Sequence, residues 1–172
     1  MRQQNEGKFI KEYSAICQKV FPPHSSFLIY HSSFPPPPFD VAKNGFPETP
    51  FVIESFFRPY GPGRKQVRPV IRPPQSGRAN RYRETASDKG RFYRTEITGF
   101  SDKGDTCTVT ARLRRGFRHQ IRCHLAWTGC PVLNDPLYGV REGDGFLALH
   151  ATGLVFTDLA GQWREYRIDD FA

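Results

Sequence analysis

Residues 113–139 read LRRGFRHQIRCHLAWTGCPVLNDPLYG, and the repeat of apolar positions changes on entering this stretch. Just before it, Cys107, Val109, Ala111 and Leu113 alternate with Thr106, Thr108, Thr110 and Arg112. That period of two marks a strand with one face buried. From Arg118 to Thr128 the period lengthens: Ile121 and Leu125 are four apart with no Gly or Pro between them, which predicts a short helix stopped by Gly129. Arg114, Arg115 and Arg118 crowd the entrance, and Arg118 and Arg122 are expected on one helix face. Free N–H groups in a first helical turn attract anions, and guanidinium groups pair well with phosphate or carboxylate. An ordinary amphipathic helix with a wet basic side accounts for the same residues equally well.

Working outward, Arg91–Thr98 and Asp105–Leu113 read as antiparallel strands joined through turns near Gly99 and Gly104. FIKEYSAIC at 9–17 and FVIESFF at 51–57 are strand-like, and one short strand is expected at Gln66–Ile71. Downstream, strands at Gly145–Phe156 and Trp163–Ile168 flank a turn at Asp158–Gly161. Pro35–Pro38 predicts an extended polyproline surface segment. Many strands around one clear helix imply an α+β domain with a mixed or antiparallel sheet. One domain over residues 1–172 is expected, with a basic Pro/Gly-rich insertion at about 58–90.

Composition narrows the function classes. Fifteen Pro and fifteen Gly argue against a helical bundle, while fifteen Phe, seven Tyr and two Trp can build a core from few residues. No apolar run is long enough to span a bilayer, and the polar stretch Met1–Lys11 lacks the apolar region of a signal peptide. A cytoplasmic protein with no membrane partner is expected. The net charge is +8, and residues 58–94 carry eleven Lys or Arg, enough to account for the imbalance. A local basic field favours a polyanion such as RNA or DNA. The four cysteines, Cys17, Cys107, Cys123 and Cys130, form no Cys-x-x-Cys pair. Cys123, His124 and Cys130 have a weak metal-like spacing. Reduced thiols filling core gaps are favoured, and neither a metal nor another cofactor is expected.

The 113–139 block resembles the signature of RluA-type pseudouridine synthases, G-R-[TS]-H-Q-[IL]-R-x-H-L followed by G-x-P-[IV]-x-G-D-x-x-Y-G. Gly116, His119, Gln120, Ile121, Arg122, His124 and Leu125 match the first part, and Gly129, Pro131, Asp135, Tyr138 and Gly139 the second. Lys11-Glu12-Tyr13-Ser14-Ala15 resembles the family's K-x-Y-x-A strand, and Leu149-His150-Ala151 its L-H-A strand, in the family's order. The resemblance implies a pseudouridine synthase-like fold and isomerisation of uridine in RNA (rRNA or tRNA) without a cofactor. It gives Tyr13 the part of a base-stacking tyrosine, Arg122 that of the arginine paired with a catalytic Asp, and Leu149 that of an apolar pocket wall. RNA contacts are expected from Arg64, Lys65, Arg68, Arg114, Arg115, Arg118, His119 and Gln120.

The chain also departs from that pattern. The family's catalytic Asp sits in H-R-L-D-x-x-T-S-G, upstream of the K-x-Y-x-A strand, and no such motif occurs in the 172 residues. Phe117-Arg118 stands where Arg-Thr or Arg-Ser is usual, and Asn134 where Gly is usual, a mild change because Asn tolerates a left-handed backbone. The chain is therefore expected to be the C-terminal part of the catalytic domain, inactive by itself. Arg122 is expected to find a substitute anion, such as a neighbouring carboxylate. A separate N-terminal half, or self-association through an exposed sheet edge, is expected as a partner. The rival reading is a non-catalytic RNA-binding module built on Arg64–Arg83 with Tyr60 and Tyr82.

Overall fold

A computed structural model describes residues 9–19, 34–71, 92–139 and 144–168, without the side chains of residues 42 and 43. Seven strands are described: β1 (Phe9–Gln18), β2 (Phe51–Tyr60), β3 (Gln66–Val70), β4 (Tyr93–Lys103), β5 (Thr106–Leu113), β6 (Leu149–Thr157) and β7 (Trp163–Arg167). They form one sheet in the order β3-β2-β4-β5-β1-β6-β7. Every pairing among them is antiparallel, which decides between the mixed and antiparallel alternatives. Among the described residues two α-helices accompany it, α1 (Val41–Asn44) and α2 (Gln120–Trp127), with a 3-10 turn at Pro62–Arg64. No helical period marks α1, which is a single turn. It is closed by Gly45 at φ 73° and docked by Val41 N–H on the Thr128 carbonyl at 2.9 Å.

Alternation sorts each strand into two faces. Ala15 and Cys17 of β1, Cys107, Val109, Ala111 and Leu113 of β5, Ile97 of β4 and Ile53 of β2 point to one face, where Ile121 and Leu125 of α2 meet them. Leu125 is completely buried there. Burial of a leucine side chain is worth about 1.5–3 kcal/mol, and this face supplies most of the core. The other face carries Arg94, Glu96, Thr108, Thr110 and Arg112 and is open to solvent. One of its side chains is buried all the same: Glu12 is held by Arg112 and Arg167 over Gly153. A Cβ on Gly153 would lie 2.8 Å from Glu12 Oε2.

Two sequence expectations are corrected. Gly99 does not turn the chain. It makes a bulge within β4, where the register shifts between Ile97 and Gly99, and the hairpin turns at Gly104 with φ 80°. Arg118 is not helical, because α2 begins two residues later after His119 takes a left-handed conformation at φ 58°. The basic segment's middle, with Tyr82 and Arg83, lies outside the described residues.

Candidate functional site

β1 and β6 bring the first two site residues together. Tyr13 lies between Ala111 of β5 and Ala151 of β6, two small neighbours that leave room around its ring. Leu149 opens β6 opposite Ala15. Tyr13 and Leu149 both pack against the core cluster that α2 covers. Partial burial raises the Tyr13 hydroxyl above the ordinary tyrosine range.

α2 presents Arg122, and the structure shows what occupies it. Arg122 donates from Nε to Asp135 Oδ2 at 2.8 Å and from Nη2 to Asp135 Oδ1 at 2.6 Å, a bidentate pair. Asp135 is fully buried, and its Oδ1 also accepts the backbone N–H groups of Leu137 and Tyr138 at 2.9 and 3.1 Å. A neighbouring carboxylate therefore lies on Arg122, and it comes from the N-D-P-L-Y-G loop itself. Asn134 enters that loop at φ 58°. The Arg122 guanidinium also sits 5.4 Å from the Tyr138 ring centroid. Tyr138 Oη accepts Val67 N–H at 2.6 Å and lies 3.4 Å from His119 Nδ1. Burial, then the Cys123 thiol beside it, push the Tyr138 hydroxyl well up, against the opposing effect of the Val67 hydrogen bond. Burial and the nearby Arg122 and Arg118 charges hold His119 low, toward the neutral form.

The motif's His124 and Gln120 turn inward. His124 is fully buried, its Nε2 2.9 Å from Ser55 Oγ and its Nδ1 2.8 Å from Thr95 Oγ1. Burial drives its pKa down to about 3, so the ring is neutral. Gln120 accepts Phe117 N–H at 2.9 Å and donates to the Arg94 carbonyl and Thr95 Oγ1. It is a buried brace between α2 and β4 rather than a surface contact. In the Phe117 position, where the motif carries a basic residue, an aromatic ring stacks on Phe57 with centroids 5.2 Å apart.

The remaining basic residues fall into two groups. Arg118 donates to the Arg64 carbonyl at 2.6 Å, which brings it to exposed Arg64 and Lys65. Arg68 lies over Tyr60 in the adjoining β2–β3 hairpin. Arg114 and Arg115 instead line a cleft with Val52, Phe92, Arg94 and Arg112, residues of the open side of the sheet. Arg94 and Arg112 were missed from the sequence, where their strand positions gave no hint of a shared surface. Each has an acidic partner, Glu54 and Glu12 respectively.

A third cluster also escaped the sequence reading: Cys17, Cys107 and Cys130 place their sulfur atoms within 4.8 Å of one another. Cys123 and His124, the residues first weighed with Cys130, are not part of it.

No family model matches the chain. An uncharacterized RNA pseudouridine synthase of Chloroflexus aurantiacus is 34% identical over 111 residues, covering 56% of this chain and 35% of that protein. An uncharacterized RNA pseudouridine synthase of Bacillus subtilis is 42% identical over 53 residues, 30% of this chain and 19% of the relative. The chain thus spans about a third or less of the length of these curated relatives. Among solved structures, human RNA pseudouridylate synthase domain containing 1 superposes with a TM-score of 0.61 at 20% identity, covering 98% of this chain and 58% of that one. No helix among the described residues is long and apolar enough to cross a membrane. In sequence over part of its length and in fold over nearly all of it, the chain is similar to RNA pseudouridine synthases.

Proposed function

We propose that these residues form part of the catalytic domain of an enzyme that isomerises uridine to pseudouridine in rRNA or tRNA. The observation that carries the reading is the seating of Tyr13 between Ala111 and Ala151, with Leu149 packed on the same core face. A half-buried aromatic ring with small neighbours suits stacking on a base drawn out of its helix, and Leu149 supplies an apolar wall. Arg122 has a second duty in this reading. By holding Asp135 it fixes the loop that carries Tyr138, and in this reading its guanidinium also pairs with the carboxylate of the nucleophile. RNA is held by phosphate contacts from Arg64, Lys65, Arg68, Arg114, Arg115 and Arg118, with His119 beside them.

The nucleophilic Asp comes from a segment not among these 172 residues, either in the same polypeptide or on a separate one that docks on the exposed sheet edge. The 172 residues alone are then inactive, since binding does not replace a covalent catalyst. Release of tritium from C5-tritiated uridine in RNA tests this. The chain alone should release none, and a polypeptide joining it to an H-R-L-D-bearing segment should release it. Turnover by the chain alone would refute the account of the nucleophile. Failure of the joined polypeptide, together with salt-sensitive RNA binding, would favour a non-catalytic RNA-binding module.

A further inference from the structure

The three clustered thiols come from three separate parts of the chain. Cys17 and Cys107 are direct partners across the β1–β5 ladder. Cys130 follows α2, and backbone bonds fix it from both sides. Its N–H donates to the Leu125 carbonyl at 3.0 Å, Gln18 N–H donates to the Pro131 carbonyl at 2.9 Å, and Val132 bridges back to Cys17. Gly129 at φ 84° makes the turn that brings Cys130 in. All three are completely buried.

We propose that Cys17, Cys107 and Cys130 form an all-sulfur, three-coordinate site for a thiophilic d10 cation such as Cu+. Three sulfurs bound to one ion at about 2.3 Å stand roughly 4 Å apart, and the three Sγ atoms here already lie within 4.8 Å of one another. Cys107 and Cys130 approach to 3.2 Å, closer than that spacing, so this pair has to open by side-chain rotation to admit an ion between the three sulfurs. No His, Asp or Glu joins the cluster among the described residues, and a pure thiolate set selects soft ions over Mg2+, Ca2+ or Mn2+. Lys19, two residues beyond Cys17 and tied to Asp102 at 2.5 Å, acts electrostatically on Cys107 and Cys130 and offsets thiolate charge.

The site would join β1, β5 and the start of the loop that carries Asp135. Its role is structural and independent of uridine chemistry: bound metal pins that loop at its first residue, as the Arg122 pair pins it further on. The ligands come from deep positions, so uptake is expected during folding, when the thiols are accessible.

The test uses Cd2+ as probe. The reduced chain is refolded with Cd2+ and desalted, and then its metal content, thiolate-to-metal absorption and sulfur coordination by X-ray absorption are measured. One Cd2+ per chain, bound by three sulfurs, is expected, with a raised melting temperature. Cys107→Ser and Cys130→Ser should each weaken Cd2+ binding by more than the roughly 10–100-fold that outer-shell changes cost, while Cys123→Ser, outside the trio, should keep the absorption band. Should a trio variant fail to refold, the sulfur count on the unsubstituted chain decides by itself. Substoichiometric metal, a different sulfur number, or a band lost with Cys123 would overturn the site. So would a Cys107–Cys130 disulfide that after reduction takes up no metal. Tritium release plays no part in these readings, so this site and the isomerase reading stand or fall separately.

Discussion

The half of the sheet beneath α2 and the β6–β7 end belong to one hydrogen-bonded ladder, yet they are stabilised differently. Under α2, Ile53, Ile97, Val109 and Leu125 are wholly buried, and His124 braces two strands through Ser55 and Thr95. At the other end every residue of β7 is exposed, with Trp163 and Tyr166 more than half accessible. There the hairpin relies on its ladder, on the Phe156–Tyr166 stack and on Arg167 reaching Glu12. A net hydrogen bond contributes only about 0.5–1.5 kcal/mol, and an exposed ion pair less. Continuity of a sheet therefore does not imply continuity of its core.

The sharpest way to break this comparison is at the buried ion pair. Asp135→Ala strands Arg122 without its carboxylate and should cost about 3–5 kcal/mol in urea unfolding. Leu125→Ala, in the same half, should cost about 2–5 kcal/mol by the same measurement. Acid should act through His124. Its folded pKa of about 3 lies below the unfolded value near 6.5, so the unfolded chain binds more protons between these limits. The stability this neutral ring contributes is whole above the unfolded pKa and falls as pH drops, by about 1.4 kcal/mol per unit at its steepest. His124→Gln should flatten that part of the pH–stability curve. The smallest effect is expected from Trp163→Ser, within about 0.5 kcal/mol because the side chain is already largely solvated. A loss there as large as that of Leu125→Ala would mean that β7 is covered in solution, and sedimentation would then show self-association.

The strands were legible because alternation survives in the residues themselves. Thr106–Leu113 announces a one-sided strand, and the shift to Ile121 and Leu125 announces α2. The start of α2 was less legible, since Arg118 suits a helix by propensity. The left-handed His119 and the inward Gln120 side chain that begin the helix depend on contacts with β4. Tyr13, Leu149 and Arg122 could be chosen from motif resemblance alone. The partner of Arg122 could not, because Asp135 reads locally as a turn residue and becomes an ion-pair acceptor only when its loop folds back on α2. The thiol trio is further still from sequence logic, with Cys17 ninety positions from Cys107 and opposite it only through the β1–β5 register.

By itself the sequence determined the period of each element, the concentration of basic charge in residues 58–94 and the motif order that links the chain to pseudouridine synthases. These are properties of neighbouring residues or of residue types at fixed spacing, and they need no knowledge of the fold. Only the tertiary structure decided the strand order, the bare β6–β7 end, the capture of Arg122 by Asp135 and the meeting of three cysteines. The physical reason is that pairing and burial act between atoms close in space, and distance along the chain does not encode which distant segments are brought into contact.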